Sequence, residues 1–326
     1  MPYFSIIIPA YNVEKYIHNT IDSIIKQRFQ DFEIIIVEDC SSDNTLNIIS
    51  DYEKKYKNII VIKHSENQTQ HIARMNGVNI AKGKYILFLD GDDSFTKDAF
   101  SLLFAQIKKN PGYDFYEFGY IKQPSRDKVF PCFSGEDRFS AYFTRDKFPA
   151  HTMWNKVYEG NVLKKAFSLM EKVIIKQGVE DLYESIVIAY FSKKTMNINK
   201  MIVNYTIGSG VSTTYKDYNT TIKFLDSLKM MFKLIEKYLR NEKLSMNIDN
   251  IYYRYLFHVT YYFNSQKNIE DKINLYLLLL DYFDRKIVFE YFSNIENKIL
   301  NSKDYIIGHE ILKPLRKIKS IIKFNK

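Results

Sequence analysis

The sequence predicts an α/β fold: a mostly parallel sheet with flanking helices, followed by a helical C-terminal region. Three observations predict it. Four short isoleucine-rich runs recur through the first hundred residues, apolar residues at helical spacing separate them, and beyond residue 216 long helical patterns take over. Near-continuous apolar runs are how strands buried on both faces read. Strand, helix and strand repeating at this pitch build right-handed βαβ units.

In chain order, strands are expected at "YFSIIIP" (3–9), "FEIIIVED" (32–39), "NIIVIK" (58–63) and "YILFLD" (85–90). Ile17, Ile21, Ile24 and Ile25 lie along one side of a helix after Tyr11 and Asn12. Leu46, Ile49 and Tyr52 do the same after "SSDN", whose Ser and Asp supply helix-start chemistry. Ile72, Met75, Val78, Ile80 and Ala81 mark a third helix, with Gly83 as its expected terminator. The stretch from 110 to 215 is turn-rich, with a strand in "YDFYEFGYI" and a helix around "EDLYESIVIAYFSKK". Phe224, Leu228, Phe232, Ile235 and Leu239 then define a long helix. The expected division is an α/β domain over 1–215 and a helical extension over 216–326.

Composition narrows the partners. Lys and Arg outnumber Asp and Glu by 47 to 38, and the formal charge of +9 favours nucleic acid, a phosphate-bearing substrate or membrane headgroups. Cys40 and Cys132 are too few for a disulfide framework and wrongly spaced for a zinc site, which suits a reducing compartment. The start "MPYFSIIIPAYN" has no basic leader. Apolar stretches such as "NLYLLLLDYF" fall short of the ~20 residues that cross a bilayer. A cytoplasmic location is expected, with any contact to the inner face of the membrane peripheral.

Ligands of open parallel sheets bind beyond the carboxyl ends of the strands. Pro9 to Asn12, Glu38 to Ser42 and Asp90 to Asp93 all fall there. Like charges repel and a buried unpaired carboxylate is costly, so "DGDD" calls for a positive partner. Asp90 and Asp92 read as hard oxygen ligands for Mg²⁺ or Mn²⁺ that grip a diphosphate. An ordinary acidic turn, with Asp93 or Ser94 capping a helix near Lys97, is the competing reading. Pro9, Ala10 and Tyr11 offer a rigid exit and an aromatic face for a base, while a carboxylate at Glu38 or Asp39 can accept the N3–H of uracil. The three ends together suit a nucleotide diphosphate. No G-x-G-x-x-G follows the first strand, no early phosphate loop occurs, and no H-E-x-x-H is present, which argues against a dehydrogenase, a nucleotidyltransferase and a zinc enzyme. Carboxylates clustered at strand ends argue against nucleic acid as partner.

In order and spacing, "SIIIPAYNVEKYI", "FEIIIVEDCSSDNT" and "ARMNGVNIAKGKYILFLDGDD" resemble the inverting nucleotide-sugar glycosyltransferases of family 2. The match is tight from residue 3 to 100 and looser to 215. The resemblance implies a GT-A type, Rossmann-like fold and a metal-dependent enzyme. It implies transfer of a hexosyl or N-acetylhexosaminyl group from a nucleotide-diphosphate donor such as a UDP-sugar. The acceptor would be a hydroxyl of a glycan or lipid-linked molecule in bacterial surface polysaccharide synthesis. A catalytically silent sugar-nucleotide-binding or scaffolding protein is the competing function.

The resemblance also implies site residues. Asp39 matches the base-binding acid, and Asp90 and Asp92 match the D-x-D pair, with Asp92 the direct metal ligand. "EDCS" stands where the family usually has "DDGS", so Cys40 replaces a glycine. Arg74 and Asn76 match a segment lining the donor pocket; the plain alternative is a solvated helix face. "MWNKVY" and "GVEDLYES" resemble the acceptor-side signature, with Asp181 as general base and Glu180 as second candidate, or else a simple acidic helix start. Trp154 stacks on an acceptor sugar or fills the core, and Asn155 and Lys156 orient diphosphate or acceptor groups. "NYTIGSGVSTTY", with flexible Gly208 and Gly210, resembles a donor-closing loop with Ser212 and Thr213 as phosphate contacts, or else is an ordinary surface loop. The basic amphipathic tail, 311–326, lies on anionic lipid or docks on the protein, and the aromatic helical region offers an oligomer interface.

Overall fold

Isoleucine-rich strands end up at the centre of the sheet because both of their faces can be covered. In the computed structural model β1 (Phe4–Ala10), β2 (Phe32–Glu38), β3 (Ile59–Lys63) and β4 (Tyr85–Phe88) run parallel in the order β3-β2-β1-β4. The structure describes residues 1–133, 137–144, 148–175, 179–208 and 218–255 apart from 253, together with 279 and 288. Successive strand residues point to opposite faces. Ile6, Ile8, Ile34 and Ile36 therefore join one core and Ile7, Ile35 and Val37 the other. Helix α1 (Ile17–Ile25) packs on the first face, α3 (Thr69–Ile80) on the second, and α2 (Thr45–Lys55) links β2 to β3.

The second half extends the same sheet with mixed directions. Its elements are β5 (Ser94–Phe95), α4 (Ala99–Lys109), β6 (Phe115–Gln123), β7 (Lys128–Val129), α5 (Arg138–Ala141), β8 (Lys156–Glu159), α6 (Gly160–Ser168), α7 (Glu180–Phe191) and β9 (Thr195–Thr206). Beyond β4 the order is β8-β6-β9-β5, with β7 on β6. Strand β8 is antiparallel to both β4 and β6, while β9 runs parallel to β6. Helix α8 (Tyr218–Asn241) follows the long helical pattern. Its Phe224, Leu228, Phe232, Ile235 and Leu239 are all buried in one core with Leu182 and Ile186 of α7.

Two local expectations are corrected. Gly83 does not end α3, which closes at Ala81 in an extended conformation. Gly83 is instead a contact point: a Cβ there would lie 2.4 Å from the backbone nitrogen of Ser5. Gly160 meets it from the other side, where a Cβ would lie 2.8 Å from the Gly83 carbonyl oxygen. The helix expected near Lys97 begins at Ala99, with Asp98 at its N-cap in a left-handed conformation (φ 62°). Neither Asp93 nor Ser94 caps it, because Ser94 opens β5 and Asp93 bonds to the end of β9. Gly210, Ser212, Thr213 and the 311–326 tail lie outside the described residues. No helix among the described residues is long and apolar enough to cross a membrane.

Candidate active site

The strand ends converge as the sheet topology requires. Just beyond β4, Asp90, Asp92 and Asp93 each bring a carboxylate oxygen to within 4.8 Å of the others. Gly91 sits closely between them: a Cβ would lie 3.0 Å from a Val13 methyl, tight enough that Val13 would have to shift. Asp93 is buried; its Oδ1 accepts from the Thr206 N–H at 2.7 Å, and its Oδ2 has no partner. Burial, then the charges of Asp90 and Asp92, push its pKa up to about 9. Asp90 rises to about 7, chiefly through burial, although Arg74 opposes the rise and Gln70 donates to its Oδ1 at 2.7 Å. Three clustered carboxylates, with one Asp93 oxygen left without a partner in the interior, are a donor set that fits a hard divalent cation such as Mg²⁺ or Mn²⁺.

Facing this turn is a buried charge network assembled by α3 and α7. The Arg74 guanidinium, 1% exposed, touches Asp181 Oδ1 at 2.5 Å and Glu184 Oε2 at 2.7 Å, and lies 3.8 Å from Asp90 Oδ1. His71 reaches Glu184 Oε1 through Nδ1 at 2.8 Å and the Glu171 carbonyl through Nε2 at 2.9 Å. Both ring nitrogens face acceptors, so both carry protons. Burial alone would lower the His71 pKa, but the Glu184 carboxylate outweighs it and raises it. Glu184 goes the other way: burial would raise it, and Arg74 and His71 together hold it low. Burial raises Asp181 despite its ion pair with Arg74, and raises Glu180 to about 8 with help from Asp181. The plain alternative for Arg74, a solvated helix face, does not hold, because the side chain is interior.

The end of β2 is built differently. Asp39 is buried, and its carboxylate accepts from the backbone N–H groups of Gln68 and Thr69, both at 2.8 Å, and from His64 Nδ1 at 2.6 Å. Asn76 donates to His64 Nε2 at 2.8 Å, so it acts on Asp39 through the imidazole. At the neighbouring β1 end, Ala10 is buried and Pro9 half-buried, whereas Tyr11 is 44% exposed, as a platform for a ring must be.

Of the acceptor-side candidates, only Asp181 keeps a solvent-facing portion, its side chain being 20% exposed. Trp154 is buried and stacks on Tyr205 at 4.9 Å with 4° between the rings, a core position. Asn155 and Lys156 turn into the protein: Lys156 Nζ donates to the Thr152 carbonyl and to Asn155 Oδ1, and Asn155 Nδ2 reaches Glu117 at 3.4 Å. Burial brings the Lys156 pKa down to about 8, against the pull of Glu117. Sequence reasoning missed His64, His71, Glu184 and Gln70. Glu184 carried a usable signal, a carboxylate two residues before the apolar run "IVIA" in a helix buried on nearly every side.

A mixed sheet whose parallel half ends in a three-carboxylate turn at its central strand has the architecture of the GT-A fold. Residues 5–155 match the family model described as glycosyl transferase family 2. The chain is 41% identical over 109 residues to a poly(ribitol-phosphate) beta-glucosyltransferase of Bacillus spizizenii, covering 32% of this chain and 17% of that protein. It is 27% identical over 219 residues to glycosyltransferase GlyA of Streptococcus pneumoniae, covering 63% and 31%. Each of these matches thus spans less than a third of the relative's own length. In structure it resembles S. aureus TarS 1–349 in complex with UDP-GlcNAc, with a TM-score of 0.62 and 22% identity over 88% of this chain and 83% of that one.

Proposed function

We propose that this chain is an inverting, metal-dependent glycosyltransferase that moves a sugar from a UDP-sugar to a hydroxyl of a glycan or lipid-linked acceptor. The product would belong to a bacterial surface polysaccharide. One observation carries the reading: the Arg74 guanidinium spans the space between the acidic turn, at Asp90, and the candidate base, Asp181. Donor phosphates and an acceptor hydroxyl are thus given neighbouring sites with opposite chemical demands. The names of relatives that act on poly(ribitol-phosphate) support a surface polymer as acceptor.

In this mechanism Tyr11 stacks against the base and Asp39 Oδ2 accepts the uracil N3–H. Asp90 and Asp92 would hold Mg²⁺ or Mn²⁺, with Asp93 behind them; when bound, the ion supplies Lewis-acid stabilisation of the leaving diphosphate. Asp181 keeps Oδ1 on Arg74 and takes the acceptor proton on Oδ2. Glu180, protonated below pH 8, adds no second charge beside it. The acceptor oxygen attacks the anomeric carbon as the diphosphate departs, and a single displacement inverts the configuration. Enzyme and acceptor would meet at the inner face of the membrane, with the 311–326 tail as the anionic-lipid contact.

The test is a panel of nucleotide sugars with Mn²⁺, read as released nucleoside diphosphate, with the product anomer assigned by NMR. Asp181→Asn is expected to lower transfer about 10²- to 10⁴-fold while leaving donor binding in place. A retained anomeric configuration, or full transfer by Asp181→Asn, would reject the reading.

A further inference from the structure

Three consecutive carbonyl oxygens of the acidic turn each meet a threonine hydroxyl. Thr20, fully buried on α1, places Oγ1 2.9 Å from the Gly91 carbonyl oxygen and 2.7 Å from that of Asp93, sharing its one proton between them. Thr206, the last residue of β9, donates its hydroxyl to the Asp92 carbonyl at 2.7 Å and its backbone N–H to Asp93 Oδ1 at 2.7 Å. The turn itself is closed by the Asp93 N–H donating to the Asp90 carbonyl at 3.0 Å. These contacts tie residues 90–93 to elements about seventy residues before and over a hundred residues after them.

This arrangement is not what the fold alone demands. A threonine inside a helix ordinarily bonds back to the carbonyl four residues earlier. For Thr20 that contact, to Tyr16, is the longest of the three at 3.4 Å, and the shorter ones cross to the turn. Once deprotonated to receive a cation, three carboxylates this close repel one another, and an untethered turn would relieve the repulsion by rotating its peptide planes and swinging side chains into water. Hydroxyls on the Gly91, Asp92 and Asp93 carbonyls fix those planes. Fixed planes fix the directions in which the side chains leave the backbone. They also commit these carbonyl oxygens to the protein, so that the carboxylates remain as the ligands.

We infer that Thr20 and Thr206 are positioning residues that hold the Asp90, Asp92 and Asp93 carboxylates in a cation-binding arrangement before the ion arrives. The inference rests on the metal reading above and adds how the site is preorganised. Partners outside the first ligand sphere typically change metal affinity 10- to 100-fold when removed.

The experiment is an Mn²⁺ titration of the full chain in the presence of UDP, following free Mn²⁺ by electron paramagnetic resonance well below the unfolding temperature. Thr20→Val and Thr206→Val keep the side-chain shape and remove the hydroxyl; Thr20→Ser keeps the hydroxyl. Both valine variants are expected to bind Mn²⁺ about tenfold or more weakly, and Thr20→Ser to bind close to wild type. If Thr20→Val does not fold, Thr206→Val carries the test alone, since valine suits a strand end. Wild-type affinity in the valine variants that fold, or equal weakness in Thr20→Ser, overturns the inference. A wild-type protein that binds no Mn²⁺ overturns the metal reading itself, and this inference with it.

Discussion

Two strand ends, two buried acids, opposite treatment: the carboxylate closing β2 is fully supplied with donors by its own chain, and the cluster closing β4 is not. Asp39 receives two backbone N–H groups and an imidazole. Asp93, equally buried, receives a single N–H on one oxygen and nothing on the other. A buried unmet acceptor costs roughly 1 to 3 kcal/mol, more when charged. One acid is thus fixed in place by its own chain, while its neighbour keeps an oxygen without a partner. On the proposed reading the contrast separates an acid locked in one orientation to meet a base from acids clustered to hold a cation.

The sharpest way to break this comparison is Asp92→Ala. Loss of a ligand that supports several kcal/mol of charge stabilisation is expected to lower Mn²⁺-dependent donor hydrolysis by about 100-fold or more, measured as released nucleoside diphosphate. Next in size is the stability of the β2 end. Asp39→Asn places an amide against three donors and should cost about 3 kcal/mol by urea unfolding, because bonds to a charged acceptor are worth 1.5 to 3 each. Asp93→Asn should cost the metal-free protein far less, and a loss as large as that of Asp39→Asn would erase the distinction.

A third test uses pH. The folded pKa of Asp93, about 9, lies above its ordinary value of 3.8, so the folded state holds a proton that the unfolded chain has released. Its contribution to metal-free stability is therefore greatest below pH 4 and is lost as pH rises toward 9. Mn²⁺ binds the deprotonated cluster, so the thermal shift it produces should grow between pH 5.5 and 8.5. A shift that is flat with pH would show that the cluster is not where the ion acts. The smallest effect concerns Lys156, whose pKa near 8 lies below its ordinary 10.5. Here the unfolded chain binds the extra proton, and wild-type stability gains from this group as pH rises from 8 to 10.5. Lys156→Met should show less of that gain in urea titrations at pH 8 and pH 10.

The same contrast explains what the sequence made legible. Runs such as "SIIIP" and "EIIIV" announce strands because burial on both faces leaves a local, continuous apolar signature, and D-x-D crowding announces the turn. Strand β8 carries no such signature: it is four residues long, opens with Lys156, and exists through pairing with β4 and β6. Strand β9 is similarly hidden, since bulges against β6 break its alternation around Asn199 to Ile202. Site residues divide in the same manner. Asp90 and Asp181 stand out by local motif, whereas His64 and His71 acquire meaning only once Asp39 and Glu184 arrive beside them from 25 and 113 residues away. Trp154 shows the reverse, a conspicuous residue whose stacking partner, Tyr205, places it in the core.

Gly83 and Gly160 press bare backbone against bare backbone where the parallel and antiparallel halves of the sheet are sewn together. That seam tolerates no padding. An alanine at either glycine would act as a wedge at the root of β4, and a strand is too stiff to absorb it. The tilt would be delivered about 20 Å away, at the tip where the acids sit. Two hydrogen atoms in place of two methyl groups thus govern the aim of the acidic turn at the far end of β4.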